Sequence, residues 1–220
     1  MYKRSKHPEK IYTIPINEAF GHPDGCPLCV LRGKLETDSL TYILGAAMME
    51  PDVRIDVNRQ GFCARHLNAL IQQSNRLSLA LMMESILGRI REKGAAGIQK
   101  LHGHCFVCSR VDGFMIHFLE NIVYMWRTEH DFKDKLAARR LCLPHTAALL
   151  PMAARLLGRG DCESFSRAVV GRALDRAQAL QHDISAFCKS FDHRMAKQPL
   201  REEVKSAVER TAAFLGGDMN

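Results

Sequence analysis

Apolar residues recur every three or four positions along most of the chain, which is the spacing of one helix face. The pattern predicts an outgoing helix over residues 30–50, which Pro51 ends, and a similar helix over residues 109–126. From residue 163 onward the same steps continue for about eight turns. Pro199 then opens a final helix. No segment alternates long enough for a sheet, so we expect an all-α protein.

The chain also contains a tandem repeat with an offset of 79 residues. Cys26-Pro-Leu-Cys29 is followed after 33 residues by Cys63-Ala-Arg-His66. Cys105-Phe-Val-Cys108 is followed after the same interval by Cys142-Leu-Pro-His145. Six cysteines and two histidines do not fall into register by chance. We therefore predict tandem duplicated helical metal-binding repeats, followed by C-terminal amphipathic helices.

Each repeat is predicted to bind one metal ion through three cysteines and one histidine. A closed Cys3His set favours tetrahedral zinc, two ions per chain, and leaves no coordination position for a substrate. An iron–sulfur cluster is the chemical alternative, because thiolates also bind iron. Cysteines that only fill the core are the alternative without a metal. The predicted ligands are Cys26, Cys29, Cys63 and His66 in the first repeat and Cys105, Cys108, Cys142 and His145 in the second.

The two ligand pairs of one repeat meet only if the chain returns after its outgoing helix. A helix over residues 30–50 runs about 30 Å, and residues 51–61 span about 36 Å if they are extended. Cys63 and His66 then lie on one face of the first turn of a returning helix. In the second repeat the return, residues 128–141, is richer in helix formers and is expected to contain a short helix. All ligand pairs are expected at or near helix N-termini, where the helix dipole stabilises thiolates.

The predicted domain boundaries follow the repeat. Residues 77–90 are apolar on nearly all sides, which predicts a buried helix packed between the two repeats. Gly94-Ala-Ala-Gly97 is predicted to be a linker. The four predicted regions are an N-terminal segment (1–23), the first Cys3His repeat (24–97), the second Cys3His repeat (98–160) and a C-terminal helical region (161–220).

Several cysteines and histidines fall outside the repeat pattern. Cys162 and Cys188 are expected to be ordinary core residues on a helix. His22, His102 and His104 precede the CxxC pairs and are candidate alternative ligands, although solvated histidines are the simpler interpretation. The sequence shows no serine–histidine–acid set, glycine-rich phosphate loop or paired-carboxylate motif, which favours a protein that is not an enzyme.

Composition and charge narrow the class of protein further. With 46% hydrophobic and 25% charged residues, the chain is globular rather than disordered or fibrous. Its formal net charge is +7, and the basic excess lies mainly within residues 61–150. Acidic residues are interspersed there and no nucleic-acid motif accompanies them, so a solvated basic face is favoured over a nucleic-acid site.

The expected location of the protein is the cytoplasm, without a membrane partner. The first twenty residues lack the apolar run of a signal peptide. The longest apolar stretch, residues 77–87, is too short to cross a bilayer. Because cytosolic thiols are kept reduced, the eight cysteines favour metal or redox chemistry over structural disulfides.

Five segments resemble a family of uncharacterised bacterial proteins, a domain of unknown function found mainly in anaerobic Gram-positive bacteria. They are IYTIPINEAF (11–20), CPLC (26–29), YILGAAMMEPDVR (42–54), GFCARH (61–66) and FDHR (191–194). The resemblance covers most of the chain. It implies a bacterial cytosolic protein and no established activity.

These observations lead to three hypotheses of function. The first is a non-enzymatic helical scaffold, stabilised by structural zinc, that binds another macromolecule, most simply a protein. The second is an iron–sulfur or thiol-based redox protein. The third is a nucleic-acid-binding protein that uses the central basic residues.

Overall fold

The computed structural model of the protein describes residues 10–101, 103–191 and 199–217. Within these ranges the secondary structure is helical and no strand occurs, which confirms the predicted all-α class. No helix in the described part is long and apolar enough to cross a membrane. The helices are α1 (Lys10–Gly21), α2 (Pro27–Leu44), a 3-10 turn (Ala46–Met49), α3 (Pro51–Gln60), α4 (Ala64–Ile71), α5 (Arg76–Lys93), α6 (Ala95–Leu101), α7 (Phe106–Thr128), α8 (His130–Ala138), α9 (Leu143–Leu156), α10 (Arg159–Lys189), α11 (Glu202–Lys205) and α12 (Ala207–Gly216).

The chain divides into two compact units. The first unit takes the described residues of Met1–Leu31 and His117–Asn220, and the second takes those of Arg32–Ile116. The division does not follow the sequence repeat, because each unit contains parts of both copies. The cut falls within α2 and within α7.

The core of the first unit is built around α10, which packs on α8, α9, α11 and α12. Aromatic pairs fill its interior: the rings of Trp126 and Phe165 lie 5.1 Å apart, as do those of Phe20 and Phe132. Phe165 and Phe132 are at most 1% exposed. The 31 residues of α10 confirm the long amphipathic helix that the sequence predicts. Burying side chains of this size contributes about 1.5–3 kcal/mol each.

In the second unit α5 packs on α3, α4 and α6. Only one face of α5 is buried, through Ser78, Leu79 and Met82. Leu77 is 70% exposed and Leu87 is 60% exposed. The prediction of a helix buried on nearly all sides is therefore wrong, since its neighbours cover a single stripe of the helix.

Two further segments differ from their predicted conformations. Residues 51–60, for which an extended chain would allow a full return, form α3: Pro51 stands at the start of this helix and Asp52 lies in its first turn. Both residues favour a helix N-terminus. The expected linker at residues 94–97 is also largely helical, because Gly94 ends α5 at a φ of 54° and α6 begins at the next residue.

The C-terminal helix agrees with its prediction in part. The final helix is split into α11 and α12, and it stops at Gly216 and Gly217 as predicted.

Cys162 and Cys188 lie on α10 as expected, but Cys162 is only half-buried and Cys188 is exposed. Their assignment to the core is wrong.

Candidate metal centres

The eight predicted ligands come together in two clusters, and in each the four ligand atoms lie within 4.8 Å of one another. Both clusters have the predicted composition of three cysteines and one histidine. The clusters are site 1, with Cys26, Cys29, Cys142 and His145, and site 2, with Cys63, His66, Cys105 and Cys108.

The membership of the clusters corrects the prediction that each repeat closes its own set. Site 1 combines the CxxC pair of the first repeat with the CxxH pair of the second. Site 2 combines the CxxH pair of the first repeat with the CxxC pair of the second. Each site nevertheless lies within one unit of the structure, site 1 in the first and site 2 in the second.

Helix length explains why the repeats exchange their pairs. The 18 residues of α2 advance about 27 Å. The ten residues of α3 cover about 15 Å, which is less than half of the distance that residues 51–61 would span if they were extended. The second repeat has the same imbalance, with 23 residues in α7 and nine in α8. The CxxH pair therefore does not return to the CxxC pair of its own repeat.

Helix N-termini position all four ligand pairs, as predicted. Cys63 and Cys142 occupy the N-cap positions of α4 and α9, which places the histidine of each pair in the first helical turn. The CxxC pairs begin one residue before α2 and α7. The free N–H groups and the dipole at these ends favour thiolates.

Site 1 is a buried cluster of three sulfurs around one imidazole. The Nδ1 atom of His145 lies 3.1 Å from the Sγ of Cys142, 3.4 Å from that of Cys29 and 3.6 Å from that of Cys26. The sulfurs of Cys29 and Cys142 are 3.7 Å apart. All three cysteines are buried. The imidazole and the sulfurs thus surround one common point.

Site 2 has the same geometry with more exposure. The Nδ1 atom of His66 lies 3.3 Å from the sulfur of each of its three cysteines. The sulfurs of Cys63 and Cys108 are 3.9 Å apart, and these two residues are partly exposed. The carbonyl of Gly61 accepts the backbone N–H of Phe106 at 3.0 Å. This bond joins the two segments that carry the ligands.

The crowding of sulfurs shifts thiol pKa values in opposite directions. In site 1, hydrogen bonding between Cys142 and Cys26 lowers the pKa of Cys26 and raises that of Cys142. In site 2, burial and then the charge of Cys105 raise the pKa of Cys108 to about 12. Burial also acts to raise the pKa of Cys63, but neighbouring backbone and thiol hydrogen bonds outweigh it and the net shift is downward. A cation bound at either centre would supply the positive charge needed to hold three adjacent cysteines as thiolates.

Glu36 on α2 supports the histidine of site 2. Its Oε1 atom lies 2.7 Å from the Nε2 of His66 and 2.5 Å from a guanidinium nitrogen of Arg65. When Nε2 donates to this carboxylate, the lone pair of Nδ1 faces the three sulfurs. Sequence reasoning missed Glu36, because its counterpart at the repeat offset is Met115 and the repeat therefore gives no indication of it.

Replacing Glu36 with glutamine is expected to weaken metal binding at site 2 by about 10- to 100-fold. The carboxylate accepts from Nε2 and so fixes the orientation of the imidazole, whereas an amide oxygen is a weaker acceptor. Competition against a chromophoric chelator measures the affinity of each site. Asp38→Asn, at an exposed position of the same helix, is the control and should leave both affinities unchanged. Equal affinities in Glu36→Gln and the unchanged chain would contradict a positioning role.

Gly217 closes over the sulfurs of site 1. Its φ is 88° and its ψ is 161°, a conformation that residues with a side chain rarely adopt. A Cβ added there would lie 3.3 Å from the sulfur of Cys29 and 3.8 Å from that of Cys142. The glycine therefore allows the backbone to approach the cluster. The sequence suggests only a helix stop at this position.

Gly217→Ala is expected to lower the thermal unfolding midpoint by about 2–10 °C, because backbone strain of about 1–3 kcal/mol is added beside site 1. It should also release the site 1 metal to a chelator sooner than the site 2 metal. Gly216→Ala is the matched control, since a Cβ there meets no atom within 4 Å. If both variants unfold at the same temperature, Gly217 does not act as a close cover for the site.

Of the other candidate histidines, His22 and His104 do not join the clusters. His22 is exposed, and its ring lies near the backbone of Asp24. His104 is exposed as well. His102 lies outside the described residues, as do residues 192–194 of the FDHR segment.

The fold and the two clusters define a class: a helical protein with two Cys/His sites that could each hold a metal ion. The chain belongs to the family of unknown function DUF6062, whose model matches residues 7–96 and 90–220. The double match fits the tandem repeat, and it confirms the resemblance to a family without an assigned function. No curated protein and no solved structure matches the chain.

Proposed function

We propose that the protein is a non-enzymatic helical scaffold that holds two structural zinc ions and binds a protein partner. The geometry of the two clusters carries the proposal. Tetrahedral zinc places sulfur ligands about 3.8 Å from one another and about 3.6 Å from a nitrogen ligand. The observed sulfur separations of 3.7 and 3.9 Å and the sulfur–nitrogen separations of 3.1–3.6 Å are close to these values.

The donor set favours a structural role over catalysis. Catalytic zinc usually has three protein ligands and one water, whereas structural zinc has four protein ligands. Each cluster offers four, and each joins two segments that are distant in sequence. A zinc ion at each centre would crosslink helices and leave their outer faces for a partner.

Metal analysis of anaerobically purified protein, combined with an absorption spectrum, tests this proposal. Two zinc ions per chain and no visible absorption are expected. Iron with visible absorption would favour the iron–sulfur alternative, which the partly exposed Cys63 and Cys108 of site 2 would suit. Little bound metal of either kind would overturn both proposals.

Nucleic-acid binding is the less favoured alternative. One of the basic residues that it would use, Arg139, donates to the carbonyls of Phe20 at 2.6 Å and Pro23 at 3.1 Å, so its side chain is held against the protein. Titration of duplex and single-stranded oligonucleotides at about 150 mM salt is expected to show little binding. Micromolar binding that is lost when Arg89 and Arg91 become glutamine would replace the protein-partner proposal.

A further inference from the structure

The first unit contains a cavity of about 320 Å³ whose lining includes none of the site 1 ligands. Residues of α7 to α10 and of α12 line it. This volume lies at the lower end of the range for small-molecule pockets, about 300–1,000 Å³. Part of the lining consists of buried apolar side chains, namely Trp126, Leu136, Leu141, Val169 and Leu180.

Positive charge dominates the polar part of the lining. Asp175 is the one acidic residue among the lining residues. Six lining residues are basic, namely Lys133, Arg139, Arg140, Arg172, Arg176 and Arg210. A concave surface with an apolar wall and one sign of charge concentrates ligands of the opposite charge.

Three of the six basic lining residues, namely Arg139, Arg140 and Arg172, make no ion pair with a described carboxylate. Arg139 and Arg172 donate to backbone carbonyls, which satisfy the guanidinium groups without cancelling their charge. Arg140 is exposed and makes no ion pair or hydrogen bond with a described residue. Arg210 differs from these three, because its guanidinium pairs with the carboxylate of Asp183 at 3.0 Å.

Two polar features of the lining suit an aromatic or polar ligand. The Nζ of Lys133 lies 4.7 Å from the centre of the Trp126 ring, which places a cation beside an aromatic surface. Thr146 also lines the cavity and is 4% exposed, yet its Oγ1 has no hydrogen-bond partner among the described residues. Buried hydroxyls normally have a partner. The unpaired hydroxyl adds a polar group to an otherwise apolar part of the lining.

From these observations we infer that the cavity binds a small amphipathic organic anion, with its apolar body against Trp126 and its acidic group among the arginines. The apolar wall supplies the affinity for the body of the ligand, and the basic residues select the acid. This inference does not depend on which metal the clusters hold. It assigns the first unit a ligand site in addition to its scaffold role.

Fluorescence titration of the full chain, as purified with its metal, tests the inference. The probe is 1-anilinonaphthalene-8-sulfonate, an aromatic sulfonate. Its neutral analogue, N-phenyl-1-naphthylamine, lacks the acidic group. Trp126 is the only tryptophan of the chain and lines the cavity, so energy transfer from it reports a probe bound in its neighbourhood, and the variants below test whether the probe lies in the cavity. We expect one probe per chain with a Kd below about 100 μM and binding of the neutral analogue at least about tenfold weaker.

Variants locate the bound probe. Arg140→Gln is expected to weaken binding of the sulfonate by about two- to fivefold, the effect of one exposed charge, and to leave the neutral analogue unaffected. Arg167→Gln, exposed on α10 outside the cavity, is the matched control and should change neither. Ala173→Phe fills the cavity and should abolish both, and Arg140→Gln remains informative if that variant misfolds. Equal binding of the two probes, or equal effects of Arg140→Gln and Arg167→Gln, would overturn the inference.

Discussion

Removal of the metal by a strong chelator is expected to lower the thermal unfolding midpoint by on the order of 20 °C or more. Site 1 joins residues 113 to 119 positions apart, and site 2 joins residues 39 to 45 positions apart. Closing loops of these lengths lowers the conformational entropy of the unfolded chain. The folded state is thereby stabilised by about 5 kcal/mol at site 1 and about 4 kcal/mol at site 2. For a chain of this size 1 kcal/mol shifts the midpoint by about 2–4 °C.

Circular dichroism at 222 nm during heating measures this effect. The metal-loaded chain, the chelated chain and the chelated chain with zinc restored should be compared. Restoration of the midpoint by zinc shows that the loss is reversible and due to the metal. A chelated chain that unfolds at the original temperature would mean that the helices pack equally well without the crosslinks.

Single ligand substitutions are expected to remove one metal equivalent each. Cys29→Ser should empty site 1 and Cys108→Ser should empty site 2, because a closed tetrahedral set loses most of its affinity with one thiolate. Cys162→Ser and Cys188→Ser are matched controls, since neither residue belongs to a cluster. Metal analysis after dialysis gives the equivalents. Loss of metal from either control would mean that the ligand sets are wrongly assigned.

The sequence predicts the eight cysteines and histidines that come together in the structure but not their grouping. The offset of 79 residues aligns Cys26 with Cys105 and His66 with His145, and it is equally consistent with closure within or across repeats. The deciding segment is residues 51–60. The sequence pattern indicates Pro51 as the end of one helix, whereas in the structure it also begins the next. Proline is common both in the first turn of a helix and just after a helix end, so Pro51 alone does not show whether a second helix follows.

Burial and supporting contacts are less accessible from the sequence. The apolar run around Leu77 and Leu87 indicates a helix but does not determine how many neighbours cover it. Glu36 and Gly217 support the sites through distant tertiary contacts; Glu36 has no counterpart in the second repeat, and Gly217 lies outside both repeats. Periodicity reports local structure, whereas these contacts depend on how the helices pack.

Metal counting in two double variants tests the central claim, that each site takes its ligands from both repeats. Cys29→Ser with Cys142→Ser removes two ligands of the same cluster, so this variant should retain one metal ion per chain. Cys29→Ser with Cys63→Ser removes one ligand from each cluster, so this variant should retain none. Closure within each repeat predicts the opposite: no metal in the first variant and one ion in the second. That reversed result would contradict the exchange of ligand pairs between the repeats.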